Sequence, residues 1–237
     1  VIFLVLALGP FILPGVRALD TAARISVFIL LVASYDLLLG YTGIVSFAHT
    51  MFFGMGAYGV ALGLTHGGRS FEAMALGAGL GTAAAVVLAA LIALFSLRVR
   101  AIFFAMITLA VASAVAVLVS QLSSLTGGED GLTFQLPREL SPAFKLLDTP
   151  LPGIDTSALL AVVKGDIPWT DAMTEVRANG KLLAYYLVFG GAFVLFLVLL
   201  RITVSPFGRV LQAIRENEFR AEAIGYQVVR YRIMATC

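Results

Sequence analysis

"ISVFILLVASYDLLLGYTGIVSFAHTMFFGMGAYGVALGL", residues 25–64, carries one formal charge, Asp36. As a single helix these 40 residues would be ~60 Å long, about twice the ~30 Å hydrocarbon core of a bilayer. The stretch must therefore fold back. Gly40-Tyr41-Thr42-Gly43 is the natural break, leaving apolar segments 25–39 and 44–64. Composition supports lipid as the solvent. The 237 residues are 60% hydrophobic and 13% charged, whereas soluble domains run at about 25% charged.

The expected fold is an all-α, polytopic integral membrane bundle with a broken or re-entrant segment near Gly40–Gly43. Six apolar runs are visible: residues 1–16, 25–39, 44–64, 73–97, 101–120 and 184–200. Residues 1–120 read as membrane helices. Residues 121–183, with five prolines, eight acids, five Lys/Arg and the single Trp169, read as a solvated loop. Residues 184–200 return the chain through the membrane, 201–232 form an arginine-rich amphipathic loop, and 233–237 start a further segment. A chain that begins at Val1 and stops at Cys237 reads as a piece of a longer one, with more spans expected beyond Cys237.

Lys and Arg concentrate on the cytoplasmic side of membrane proteins. Arg98 and Arg100, and the arginines of 201–232, place those turns inside and the 121–183 loop outside. Arg17 and Arg24 fall outside on this count and oppose the rule, partly offset by Asp20. Gly59/Gly63 and Gly77/Gly81 make two G-x-x-x-G pairs. Such pairs let helix backbones approach closely in lipid, and close packing within one subunit is the favoured reading.

Several functions are excluded. A net charge of +2 without a basic block argues against nucleic acid. Two histidines and one terminal cysteine give no metal cluster. No glycine-rich phosphate loop with its lysine is present, so no nucleotide and no catalytic site is expected on this chain. Gly127-Gly128-Glu129-Asp130-Gly131 lacks the alternating ligands of a calcium loop and reads as a turn.

The polar break is the first functional candidate. Thr42, Ser46 and Thr50 are spaced four apart and would share one face of a helix starting near residue 42, with His49 beside them. Asp36 lies one turn before Gly40, and Tyr41 sits within the break. In one reading Asp36, Tyr41, Thr42, Ser46, His49 and Thr50 line a polar path for a small solute. In the other, the hydroxyls bond back to their own helix, His49 ties two helices together and Asp36 sits at an interface. Both stay open at this point.

The second candidate is "SPFGRVLQAIRENEFRAEAIGYQVVRYR", residues 205–232. Pro206 suits a first helical turn. Val210, Leu211 and Ile214 form an apolar stripe opposite Arg209, Gln212 and Arg215. Asn217 can recap the chain and Gly225 can end a second short helix. Such a helix pair either lies on headgroups or docks its apolar anchors into a partner's groove. Its mixed charges favour a protein partner.

Three stretches together resemble one family. "YTGIVSFAHTMFFGMGAY" (41–58), "FFAMITLAVA" (103–112) followed by "LTGGEDGL" (125–132), and "FGRVLQAIRENEFRAEAIGYQVVRYR" (207–232) are similar to the permease subunits of branched-chain amino acid ABC importers, the M-type (LivM-like) in particular. The resemblance implies a membrane subunit that moves solute by alternating access. Its implied partners are a second permease (H-type or a copy), two ATPase subunits holding ATP and Mg, and an extracytoplasmic solute-binding protein, all at a bacterial-type inner membrane. It implies that Gly208, Arg215, Glu216, Asn217, Glu218, Ala221, Glu222, Ala223 and Gly225, with Leu211 and Ile214 as anchors, form the ATPase-coupling contact. The loop departs from the general ABC-importer pattern, since only Glu222-Ala223 and Gly225 match Glu-Ala-Ala with a following glycine. Urea, short amides and aromatic acids are alternative cargoes. An autonomous channel or ion-coupled carrier, or a membrane scaffold, are rivals of other classes.

Overall fold

The computed structural model describes residues 2–12, 16–96, 101–141, 143–144, 151–154, 173–176 and 179–236. Among these the chain is a bundle of helices: α1 Ile2–Ile12, α2 Val16–Asp36, α3 His49–Gly67, α4 Phe71–Ser96, α5 Ala101–Gln121, α6 Ser123–Thr126, α7 Gly180–Val204, α8 Pro206–Glu216, α9 Glu218–Ala223 and α10 Val228–Thr236. One antiparallel ladder, β1 Leu151–Ile154 against β2 Met173–Val176, interrupts the 121–183 loop, with Leu151 opposite Val176. Four stretches are long and apolar enough to cross a membrane: Ala18–Thr42, Phe71–Leu94, Phe103–Gln121 and Gly180–Val204. The chain is therefore a multi-pass membrane protein. The expected 1–16 segment forms a helix of only 11 residues, about 16 Å long. The Arg98–Arg100 turn and Trp169 lie outside the described residues.

The chain divides into two compact units, Val1–Leu31 with Pro137–Leu197, and Val32–Leu136 with Val198–Cys237. In the first, Pro10 sits inside α1. Proline has no N–H, so it leaves the carbonyl four residues earlier, that of Leu6, without its helical donor. The Tyr185 hydroxyl donates to that carbonyl, and Tyr186 donates to the Ala7 carbonyl at 3.0 Å. Helical spacing puts Tyr185, Phe189 and Phe193 on one face of α7. Phe3 packs against Phe189, Phe193 and Phe196 at centroid distances of 6.2, 5.2 and 4.9 Å. Lys181 pairs with Asp20 at 2.9 Å, joining the starts of α7 and α2.

In the second unit, α3 and α4 form an antiparallel hairpin along their glycines. A Cβ on Gly59 would lie 2.6 Å from Gly81 Cα, and one on Gly63 would lie 2.7 Å from Gly77 Cα. The two G-x-x-x-G pairs thus face each other within the chain, gaining the close backbone contact that lipid rewards. Two small cores close the other end of this unit. Ile44, Ala93 and Phe104 gather with Ile233 of α10. Ile214, Ala221 and Val228 gather with Val210 and Tyr231.

The α8–α10 loop is capped as its residues demand. Ser205 accepts from the Gly208 N–H at 3.4 Å, and Pro206 occupies the first turn of α8. Asn217 accepts from the Arg220 N–H at 3.0 Å and starts α9. Gly225, at φ +99°, turns the chain away. Glu218 holds Arg232 through two contacts, 2.9 and 3.1 Å.

Gly77→Leu should destabilise the folded chain by about 1–3 kcal/mol, since backbone must move to admit the side chain. Gly79→Leu, on the same helix with open space at its Cβ, should leave the melting temperature in detergent unchanged. Tyr185→Phe should cost about 1–3 kcal/mol by leaving the Leu6 carbonyl unpaired, and Pro10→Ala in the same chain should recover most of that loss.

Candidate functional site

The α2 helix does not simply stop. It widens into a π-helical turn over Leu37–Thr42, a rare form that recurs at functional sites. At Gly40 a Cβ would lie 2.7 Å from Asp36 Oδ1, the movable end of an exposed side chain. The Thr42 hydroxyl donates to the Leu38 carbonyl and accepts from the Ile44 N–H at 3.4 Å. Gly43, at φ +70°, reverses the chain, and its N–H donates to the Leu39 carbonyl at 3.1 Å. Residues 43–46 are non-helical. The Phe47 N–H donates to Thr108 Oγ1 at 3.2 Å, and that hydroxyl donates to the Ala105 carbonyl at 2.9 Å. Protein groups thus satisfy the break, as a membrane interior requires.

The last carbonyls of a helix lack intrahelical donors and carry partial negative charge. Arg215 meets that need here: its Nη1 donates to the Gly40 carbonyl. Its stem crosses Gly43, where a Cβ would lie 3.2 Å from Arg215 Cγ. Helix α8 packs along the π turn, with Leu211 0% and Ile214 1% exposed. The arginine-rich loop and the polar break, far apart in sequence, are one structural element.

The expected path residues are only partly brought together. Thr42 and Ser46 are buried, His49 and Tyr41 are half-buried, and Asp36 and Thr50 are exposed. His49 Nε2 lies 2.8 Å from Ser34 Oγ, and its ring meets Tyr35 edge-on at 5.4 Å. The expected shared helical face for Thr42, Ser46 and Thr50 is corrected: α3 starts at His49, so the first two precede it. The break also sits at the end of the Ala18–Thr42 span, which is 25 residues long, rather than partway across the membrane. A ~37 Å helix already crosses the hydrocarbon core.

The coupling residues also sort differently from the expectation. Gly208, Leu211, Ile214 and Ala221 are buried, while Arg215, Glu216, Asn217, Glu218, Glu222, Ala223 and Gly225 are exposed. Leu211 and Ile214 face this chain's own core, which corrects the expectation that they insert into a partner. The exposed apolar groups of the loop are instead Phe219, 85% exposed, and Ile224, 70% exposed. Sequence reading passed over both because neither belongs to the α8 stripe. It also missed Ser34 and Thr108, whose roles depend on long-range pairing that no local pattern encodes.

Two open clefts flank α3. One, of about 350 Å³, lies between α3 and α5, with Thr50, Gly54, Tyr58, Ala112 and Ala116 in its walls. The other, of about 520 Å³, runs along the α3–α4 hairpin past Met55, Leu62, His66 and Leu80. Of the six expected path residues, only Thr50 lines either cleft. Among the described residues no cluster of His, Cys, Asp and Glu is placed to hold a metal ion.

A family profile described as "branched-chain amino acid transport system / permease component" matches residues 17–237. The high-affinity branched-chain amino acid transport system permease protein LivM of Salmonella typhimurium is 27% identical over 220 residues, covering 92% of this chain and 48% of that protein. A probable branched-chain amino acid transport permease protein LivM of Methanocaldococcus jannaschii is 36% identical over 81 residues, 34% of this chain and 20% of that protein. The chain thus spans about half the length, or less, of these curated relatives. No solved structure matches it.

Ser34→Ala and His49→Phe should each lower stability in detergent. The double variant should lose less than the sum, with a coupling of roughly 0.5–1.5 kcal/mol for a hydrogen bond between membrane helices.

Proposed function

The chain belongs to the family of permease components of branched-chain amino acid transport systems, and from that premise we propose that it is a membrane-spanning subunit of an ATP-driven importer for branched-chain or related amino acids. One observation carries the mechanical part. The α8–α10 loop is fixed to the end of a membrane span by the Arg215 link, by Leu211 and by Ile214. The same loop presents Phe219 and Ile224 to whatever lies outside the bundle. A loop anchored on one side and sticky on the other suits force transmission. Interface anchors are characteristically exposed aromatics ringed by polar groups, and the exposed Glu216, Glu218, Arg220 and Glu222 are near these two in sequence.

In this reading the 201–232 loop is cytoplasmic and meets an ATPase subunit. The 121–183 region lies outside and receives the solute-binding protein. The Lys181–Asp20 pair at the starts of α7 and α2 supports an outer level within its unit. So does the contact of Arg69 Nε with the Leu136 carbonyl at 3.4 Å, within the other. A second permease, an H-type subunit or a copy of this chain, completes the pathway. ATP and Mg are held by the ATPases, and this chain performs no chemistry on the solute. Closure of the ATPases moves α8–α10, and the π turn carries that motion into α2 and α3.

Phe219→Ala with Ile224→Ala should cut co-purification of the ATPase subunits and solute uptake by at least about tenfold, the effect of losing anchors worth ~1.4 kcal/mol or more, while the melting temperature stays unchanged. Leu211→Asp should instead lower the melting temperature itself. Full assembly and uptake by the Phe219/Ile224 variant would remove these residues from the coupling surface.

A further inference from the structure

The cleft between α3 and α5 contains two hydroxyls, Thr50 Oγ1 and Tyr58 Oη, that have no hydrogen-bond partner among the described residues. This is unlike most hydroxyls on the spanning helices. Ser26 donates to the Ala22 carbonyl at 3.0 Å, Thr65 to Ala61 at 2.7 Å, Ser113 to Leu109 at 2.9 Å and Thr203 to Leu200 at 2.8 Å. Thr50 has no such option, because the residues before it are non-helical, and a tyrosine hydroxyl is too far from its own backbone. Two free hydroxyls in one apolar concavity offer hydrogen-bonding groups to an occupant of the cleft.

The space between the hydroxyls is apolar. Thr50 and Tyr58 stand two helical turns apart on α3. Gly54 lies midway, and a Cβ there would meet nothing within 4 Å. Ala112, Val115 and Ala116 of α5 form the opposite wall. The volume of about 350 Å³ is at the small end of ligand pockets, and an apolar lining with a few polar groups is the usual chemistry of such sites. We propose that this α3–α5 cleft is a subsite for the transported solute. Its aliphatic portion lies against Gly54, Ala112, Val115 and Ala116, and its polar groups meet Thr50 and Tyr58. The assignment rests on the transport reading above, and it commits to a small amino acid with a branched aliphatic side chain.

The test uses the whole transport complex in proteoliposomes, with radiolabelled leucine and alanine as probes. Gly54→Leu fills the cleft without displacing backbone. Leucine uptake should fall by at least about tenfold, as expected when a side chain occupies ligand space, with alanine uptake reduced less. Gly56→Leu, with equally open space on the same helix but outside the cleft, and Thr82→Val, on α4 outside the cleft, should match the wild type. Thr50→Val and Tyr58→Phe change little volume. Each should raise the half-saturating leucine concentration about two- to tenfold, the effect of one hydrogen bond, and Thr50→Ser should restore it. If the wild-type complex carries leucine and both Gly54→Leu and the two hydroxyl variants carry it normally, the cleft is a lipid groove and the subsite is refuted. Should Gly54→Leu fail to assemble, unchanged half-saturation in both hydroxyl variants refutes it equally. A wild-type complex that carries neither leucine nor alanine overturns the transport reading itself.

Discussion

The end of a membrane helix must dispose of its last carbonyls, and in this chain a single guanidinium does so for the most consequential one. Arg215, on an amphipathic helix about 175 residues further along, donates to the Gly40 carbonyl at a widened π turn. The interaction answers both demands of a helix C-terminus, an unsatisfied acceptor and a negative dipole end. It also fixes what surrounds it. Position 43, at φ +70°, favours glycine by its backbone, and the arginine stem passes close to it. Leu211 and Ile214 are buried where α8 lies along the turn, and burial of each contributes roughly 1.5–3 kcal/mol. The α8–α10 loop is therefore an extension of the membrane unit rather than a loose tether.

The rest of that unit obeys the rules of lipid as a solvent. Apolar side chains gain little by leaving hydrocarbon for protein, so close contact and hydrogen bonding must hold helices together. The glycines of α3 and α4 supply close contact. The hydroxyls supply local satisfaction: Thr42 bonds to its own turn, and Thr108 receives the Phe47 N–H from the segment that follows the turn. In the other unit the same logic pairs the proline-exposed Leu6 carbonyl with Tyr185. The Thr50 and Tyr58 hydroxyls of the α3–α5 cleft have no such partner among the described residues.

Much of this was legible in the sequence. Hydropathy and length made the chain a helical membrane bundle, and the two G-x-x-x-G pairs pointed to close packing within the chain. Pro206, Asn217 and Gly225 marked limits of α8 and α9, because caps are local and depend on neighbouring residues only. The break at Gly40–Gly43 was visible too. Its depth was not, because a run of apolar residues does not reveal which of them lies at the boundary. The phase of Thr42, Ser46 and Thr50 was misread for a related reason: spacing of four implies a shared face only within a continuous helix, and α3 starts at His49. Arg215 looked like a surface charge for a partner. Only the fold brings it to the Gly40 carbonyl, and no spacing rule reports a contact between residues so far apart in sequence. The two-stranded ladder in the 121–183 loop was also missed, since its four-residue strands are too short to show alternation against a proline-rich background.

Rigid union of the α8–α10 loop with the π turn is the feature on which the proposed force transmission depends. It is tested most directly by pulsed electron resonance on the assembled transporter. Spin labels at Ala213 and Leu39, both exposed, report the union, and labels at Ala213 and Ser70 report motion of the loop relative to the far end of the hairpin. Between the nucleotide-free and ATP-trapped states the Ala213–Leu39 distance should stay constant while the Ala213–Ser70 distance changes. An Ala213–Leu39 distance that changes with nucleotide while Ala213–Ser70 stays fixed would contradict transmission through Arg215.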